Sequence, residues 1–197
     1  MANFDPRKKP ITMYDFPQIY ERLGMALGDF GCIMLDVEPL PVLDILEKSK
    51  DWFYFSTNPK LKYVKGPVGS TEAHCTLLYG LTPDKNAGVK QRDSVDELLY
   101  GLDLSEVQID HVDSFPPQFN EPYSCVVAKL KTNSALGEAN RRLRFLPHID
   151  SFLEYRPHVT LAYVNQADTE ETIKKLNDEL EGLKIPAKGI NYGGPIA

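Results

Sequence analysis

Short apolar runs, divided by polar stretches that carry proline or glycine, set the pattern of this chain. Residues 31–37, GCIMLDV, read as a strand that Pro39 and Pro41 end. Residues 107–115 set Val107, Ile109, His111 and Asp113 against Gln108, Asp110 and Val112, the alternation of a strand. Residues 123–130 form another apolar run, and the PPQFNEP stretch between the two suggests a hairpin. Short strand character also marks residues 61–64 and 183–192.

Helical spacing appears between these runs. Asp15 is placed to cap a helix over 17–27, with Ile19, Leu23 and Ala26 on one face. A second helix is expected over 42–50, and the aromatic residues 52–55 either continue it or pack beneath it. Ser94 with Glu97 reads as a capping box for a short helix that stops at Gly101. Residues 134–145 carry an apolar stripe of Leu136, Ala139, Leu143 and Leu146. Asp168 with Glu171 opens a last helix through Ile173, Leu176 and Leu180, closed by Gly182. The elements predict an α+β protein of two similar lobes, each a helix and strand followed by a second strand.

Two runs stand out from the rest. Residues 71–81 read TEAHCTLLYGL and residues 155–164 read YRPHVTLAYV. Each holds a His-x-Thr triplet, His74-Cys75-Thr76 and His158-Val159-Thr160, followed by apolar and aromatic residues. In a strand, His74 and Thr76 share one face, as do His158 and Thr160, while Cys75 and Val159 point into packed interior. Tyr79 and Tyr163 each lie five residues past a histidine, so an ideal strand turns them away from the histidine face. Paired imidazoles suit proton transfer near neutral pH, one taking a proton and the other giving one. The threonine hydroxyls suit donation to a phosphate between them. Partly buried strand histidines satisfied by hydrogen bonds are the plainer alternative.

Composition narrows the field. Hydrophobic content of 42% and charged content of 25% are ordinary for one globular domain. No apolar run is long enough for a membrane span, and the N-terminus lacks the apolar segment of a secretory signal. Cys32, Cys75 and Cys125 lack metal-ligand spacing and read as reduced core residues of a cytoplasmic protein. A net charge of −6 disfavours binding along long nucleic acid but is compatible with a small nucleotide in a locally basic cleft. Two basic patches stand out, Lys60, Lys62 and Lys65 before the first motif, and Arg141, Arg142 and Arg144; each is either solvated surface or a ligand contact.

Rival chemistries are weak. His111 and His148 each precede an aspartate by two residues, but no pair of histidines has zinc-ligand spacing, so no metal is expected. There is no phosphate-binding P-loop and no Gly-x-Ser-x-Gly elbow. Cys75 is poorly placed as a nucleophile, because adjacent strand residues point apart. Residues 81–93 form a polar segment that is either a lid or a surface connection. The domain boundaries expected are a mobile arm over 1–12, a single bilobal unit over 13–192 and a tail over 193–197.

The paired triplets resemble those of the 2H phosphoesterase superfamily, closely in the motif strands and, as an order of elements, from residue 29 to 192. Within that group, TEAHCTLLYGL, PHVTLAYV and the INYG ending are most similar to phage anti-CBASS nucleases, which destroy cyclic oligonucleotide signals. The resemblance implies a bilobal α+β fold with antiparallel sheets lining a central cleft, and metal-free, cofactor-free catalysis by His74, Thr76, His158 and Thr160. It implies a 3′–5′-linked cyclic di- or trinucleotide substrate, opened by attack of a ribose 2′-hydroxyl. The alternatives are a 2H enzyme acting on linear RNA ends, 2′–5′ oligonucleotides or cyclic phosphates, and a non-cleaving nucleotide sponge. The candidate substrate-binding residues are Tyr14 (or Tyr20) over a base, Lys65 for phosphate steering, Glu154 to orient a base or an arginine, and Tyr192 as a base-contacting surface. A monomer in the cytoplasm, or in a host's cytoplasm for a viral gene, completes the expectation.

Overall fold

The computed structural model describes residues 31–47, 53–54, 73–81, 88–115, 123–132, 134–149 and 154–193. The elements in chain order are β1 (Gly31–Val37), α1 (Val42–Glu47), β2 (Phe53–Tyr54), β3 (His74–Leu81), α2 (Gly88–Leu99), β4 (Glu106–Phe115), β5 (Tyr123–Leu130), α3 (Ser134–Leu143), β6 (His158–Asn165), α4 (Thr169–Leu180) and β7 (Lys184–Gly193). The expected arm over 1–12, the 17–27 helix with Tyr14 and Tyr20, the 61–64 strand with its lysines, the PPQFNEP connection and most of the tail lie outside the described residues.

The seven strands form one sheet in the order β2-β6-β3-β1-β7-β4-β5, and β5 also pairs with β6. The pairings therefore run in a closed circuit from β6 through β3, β1, β7, β4 and β5 back to β6. Every pairing is antiparallel. Alternation explains the packing. In β1, Ile33, Leu35 and Val37 are buried while Cys32, Met34 and Asp36 are half-buried. The buried set continues through Cys75, Ile109, Val126, Ala128 and Val159 into one core. That core is capped by helices. Leu136, Ala139 and Leu143 of α3 and Leu176 and Leu180 of α4 are fully buried, and α3 packs on β3 while α4 packs on β4 and α1. The result is a mixed α/β fold built on a large antiparallel sheet. No described helix is long and apolar enough to cross a membrane.

Several elements differ from expectation for identifiable reasons. Residues 53–54 are a strand rather than more helix, because they pair with Val164 and Tyr163 of β6. Helix α2 starts at Gly88, so Ser94 sits inside it, and part of the expected lid is helix. Nothing in the polar stretch GVKQRD breaks a helix. In β4 the register slips between Ile109 and His111. The slip turns Val112 into the core beside Ile109 and leaves His111 exposed, against strict alternation. Asn177 of α4 accepts the Val112 N–H at 2.7 Å. Asp168 stands at the N-cap of α4 without a side-chain cap bond. The Asn165 side chain caps the preceding 3₁₀ turn instead, accepting from Ala167 N.

Gly80 marks a forced close approach at the end of β3. Its φ is +88°, and a Cβ there would lie 2.4 Å from the Ile149 carbonyl oxygen. The Ile149 N–H donates to the Gly80 carbonyl at 2.8 Å, which ties the segment after α3 to the first motif strand.

Candidate active site

The two motif strands are neighbours in the sheet and pair at Cys75 and Val159. Residues flanking an antiparallel pair stand across from one another, which sets His74 opposite Thr160 and Thr76 opposite His158. The histidine and threonine of each triplet are half-buried on the sheet face opposite the core. Diagonal neighbours in such a pair lie roughly 7–8 Å apart. That spacing leaves room for a phosphate between the imidazoles, with one threonine beside each.

The surroundings repeat. Each motif strand pairs on its other edge with a second strand, β3 with β1 and β6 with β5. His74 faces Asp36, Cys75 faces Leu35, Thr76 faces Met34, Leu78 faces Ile33 and Tyr79 faces Cys32. In the same order, His158 faces Lys129, Val159 faces Ala128, Thr160 faces Val127, Ala162 faces Val126 and Tyr163 faces Cys125. The two halves of the site are therefore related by an approximate two-fold through the Cys75–Val159 pair.

This register corrects the expectation for the tyrosines. The ladder skips Leu77 in β3 and Leu161 in β6, one extra residue at the same place in each motif. Such a bulge reverses the facing of everything beyond it. Tyr79 and Tyr163 consequently return to the histidine face, half-buried like the histidines and threonines before them. Helix α3 supports the first bulge: Asn140 Nδ2 donates to the Leu77 carbonyl at 2.7 Å. Cys32 and Cys125 are half-buried beside these tyrosines rather than core residues. Cys75 alone is fully buried. Burial pushes its thiol up to about 11, against the lowering contacts of Tyr155 and the His158 backbone, so it remains protonated at neutral pH.

His158 has the better-defined environment of the two histidines. Its Nδ1 lies 2.7 Å from the Arg156 carbonyl. A carbonyl only accepts, so Nδ1 carries a proton and Nε2 offers the lone pair in the neutral ring. The ring stands nearly perpendicular to that of Phe115, at 81°, with centroids 4.9 Å apart. Burial holds the His158 pKa below its ordinary value. The Arg156 carbonyl opposes this, and the positive charges of Lys129 and His74 add to it. Lys129 was not singled out from the sequence. Its Nζ lies 4.3 Å from the Phe115 ring centroid and 3.8 Å from Asp113 Oδ2. The signal was present: Lys129 is the one charged residue in the apolar run YSCVVAKL.

The remaining candidates are placed as follows. Glu154 is exposed and pairs with Arg156 at 2.7 Å. Tyr192 is the cross-strand partner of Ile33 and packs on the core, so it lies on the opposite face from the histidines. Tyr14 and Lys65 lie outside the described residues. Arg141 and Arg142 are engaged by Glu138, whose carboxyl they hold down to about 2. Arg142 also donates to the Leu98 and Tyr100 carbonyls, which ties α3 to the end of α2. His111 pairs with Asp110, and His148 Nδ1 lies 2.8 Å from the Leu146 carbonyl. Among the described residues no three His, Cys, Asp or Glu side chains converge as a metal site.

The family model of the 2′-5′ RNA ligase superfamily matches residues 59–191. The chain belongs to that superfamily, a 2H-phosphoesterase-like group, and its two His-x-Thr strands meet in one sheet. Among solved structures it is similar to Usb1 of Kluyveromyces marxianus with uridine monophosphate, at 10% identity and a TM-score of 0.52, covering 86% of this chain and 96% of that one. A second Usb1 structure from the same organism gives 8% identity, a TM-score of 0.51 and coverage of 86% and 95%. At this identity the likeness is one of fold. No curated protein matches the chain in sequence.

Proposed function

We propose that the protein is a metal-independent phosphoesterase acting on phosphodiester or 2′,3′-cyclic phosphate groups of RNA or nucleotides. The observation that carries this reading is the approximate two-fold that sets His74 and His158 on one face with Thr76 and Thr160 between them. In the cleavage step one imidazole accepts the 2′-hydroxyl proton as the 2′-oxygen attacks phosphorus. The other protonates the departing 5′-oxygen. The threonine hydroxyls donate to the nonbridging oxygens, where charge accumulates. The product carries a 2′,3′-cyclic phosphate, which water opens with the roles of the two histidines exchanged.

Each half of the chain supplies one motif to this site, and in this reading the halves act as two lobes of a single unit. Tyr79 and Tyr163 offer aromatic surfaces on the histidine face, and bases gain from stacking on such rings. The reading favours RNA ends and cyclic phosphates over the narrower one of cyclic oligonucleotide signals. The family match and the fold both accord with the broader class. The residues expected to enclose a ring, Tyr14 and Lys65, lie outside the described part.

A substrate panel with chelator present tests the proposal. It contains linear oligouridylate, uridine 2′,3′-cyclic monophosphate, a 2′–5′ oligonucleotide and 3′–5′ cyclic di- and trinucleotides, with products resolved by mass. Cleavage of the linear RNA or the cyclic monophosphate is expected. Opening of the 3′–5′ rings alone selects the narrower reading. Loss of all cleavage in chelator, restored by added metal, overturns the chemistry.

A further inference from the structure

The two halves of the site match position for position except in charge. The approximate two-fold that carries His74 onto His158 carries Asp36, the cross-strand partner of His74, onto Lys129, the partner of His158. One histidine thus has a carboxylate at its side, and the other has an ammonium at the equivalent place.

Lys129 is not a loose surface lysine. Its side chain is only 16% exposed, its Nζ sits on the face of Phe115, and Phe115 in turn makes a T-shaped contact with the His158 ring. Asp113, about half exposed, lies 3.8 Å away, at the outer limit of an ion pair, so the ammonium retains donors for another anion. Asp36 is held from β7, where Asn191 Nδ2 donates to its Oδ2 at 2.9 Å.

We propose that Lys129 gives the site its direction: it meets a nonbridging oxygen of the phosphate and makes His158 the base, which leaves His74 as the acid. The assignment rests on the phosphoesterase reading above. In the cleavage step the O2′–P bond forms and the P–O5′ bond breaks. The O2′ proton passes to His158 Nε2, and a proton from His74 goes to O5′. The fixed tautomer of His158, with Nδ1–H held by the Arg156 carbonyl, leaves Nε2 free to accept. A cation beside an imidazole disfavours its protonated form, as Lys129 does beside His158. Among the described residues, the charged and titratable groups around His158 are Lys129 from β5, Asp113 from β4, His74 from β3 with Asp36 behind it on β1, the exposed Arg156–Glu154 pair that precedes β6, and, on the buried side, Cys75 with Tyr155.

Leaving-group chemistry separates acid from base. A uridine 3′-(4-nitrophenyl) phosphate expels an aryl oxide that needs no proton, whereas a uridylyl dinucleotide expels an alkoxide that does. H74A is expected to cleave the aryl ester within about ten-fold of wild type while losing the dinucleotide by about 10²- to 10⁴-fold. H158A is expected to lose both. K129M is expected to lose about 10²-fold on both substrates, as for removal of one preorganised donor to the phosphate, with K129R recovering most of it. NMR titration of the His158 ring in unliganded protein gives a readout independent of turnover. Its midpoint moves up in K129M and returns in K129R. Methionine keeps the length and apolar stem that pack on Phe115, so the fold should survive.

The opposite pattern, with the aryl ester rescuing H158A and not H74A, overturns the assignment. So does K129M with wild-type cleavage and an unmoved His158 titration. If wild type cleaves neither substrate, the phosphoesterase reading itself falls. The titration and the affinity for inorganic phosphate then decide the Lys129 role. An unmoved midpoint with unchanged affinity rejects it, and an upward midpoint with about ten-fold weaker phosphate binding supports it.

Discussion

His158 shows how an ordinary strand residue becomes a proton acceptor. The strand presents the ring, the Arg156 carbonyl fixes its tautomer, and burial keeps it unprotonated further into acid than a free imidazole. The sign for the pH profile follows. A base is active when deprotonated, so the acid limb of kcat/KM for cleavage should fall below the ordinary histidine value of 6.5. A pH series with a dinucleotide substrate checks this, and an acid limb above that value argues against His158 as the base. With the dinucleotide, replacing either histidine by alanine should cost about 10²- to 10⁴-fold in the single-turnover rate. Thr76→Val and Thr160→Val keep the branched shape and remove one donor each. Each should lose roughly 1.5–3 kcal/mol of transition-state stabilisation, the worth of a hydrogen bond to a charged acceptor. Wild-type rates in both threonine variants would show that the hydroxyls do not touch the phosphate. Circular dichroism of each variant separates these losses from unfolding.

At the scale of elements, the motif strands were legible in the sequence and their bulges were not. Leu77-Leu78 and Leu161-Ala162 are adjacent apolar pairs whose members are all buried, so alternation carries no mark of where it resets. The available clue was the spacing of amphipathic positions: histidine, threonine two residues on, then tyrosine three residues beyond that. Two followed by three is the step a bulge makes. The helical stripes of α3 and α4 read correctly, because a buried face at helical spacing is a strong signal; Leu136, Ala139, Leu143, Leu176 and Leu180 are all fully buried. Lys129 escaped because its role exists only through cross-strand register, which pairs it with His158 and is not written in local sequence. Asn140 is the testable support of the first bulge, since its amide takes the carbonyl that the ladder leaves unpaired. Asn140→Ala should lower stability by about 1–3 kcal/mol in urea unfolding, the usual cost of an unsatisfied buried acceptor. It should also slow cleavage by loosening Thr76 and Tyr79. An unchanged unfolding midpoint would mean that water replaces the amide.

At the scale of the molecule, β6 is the hub. It pairs with β5 along nearly its whole length, with β3 at the motif crossing and with β2 near its end, which closes the circuit of strands. The sequence suggested two similar lobes because the motifs repeat. The register shows in addition that strands from both halves share one hydrogen-bonded network. An active site assembled from both halves depends on that closure, because neither half alone places two imidazoles on one face. Val159, fully buried at the crossing, is the position to probe. Val159→Ala removes two methyl groups' worth of burial and should destabilise the protein by about 2 kcal/mol. Native-state hydrogen exchange then reads how the loss is shared. If the circuit unfolds as one cooperative unit, amides in β1 and β3 and amides in β4 and β5 should lose protection by the same free energy. Loss confined to β3 and β6 would show that the halves open independently, and the site would then be held by packing between two units rather than by one continuous sheet.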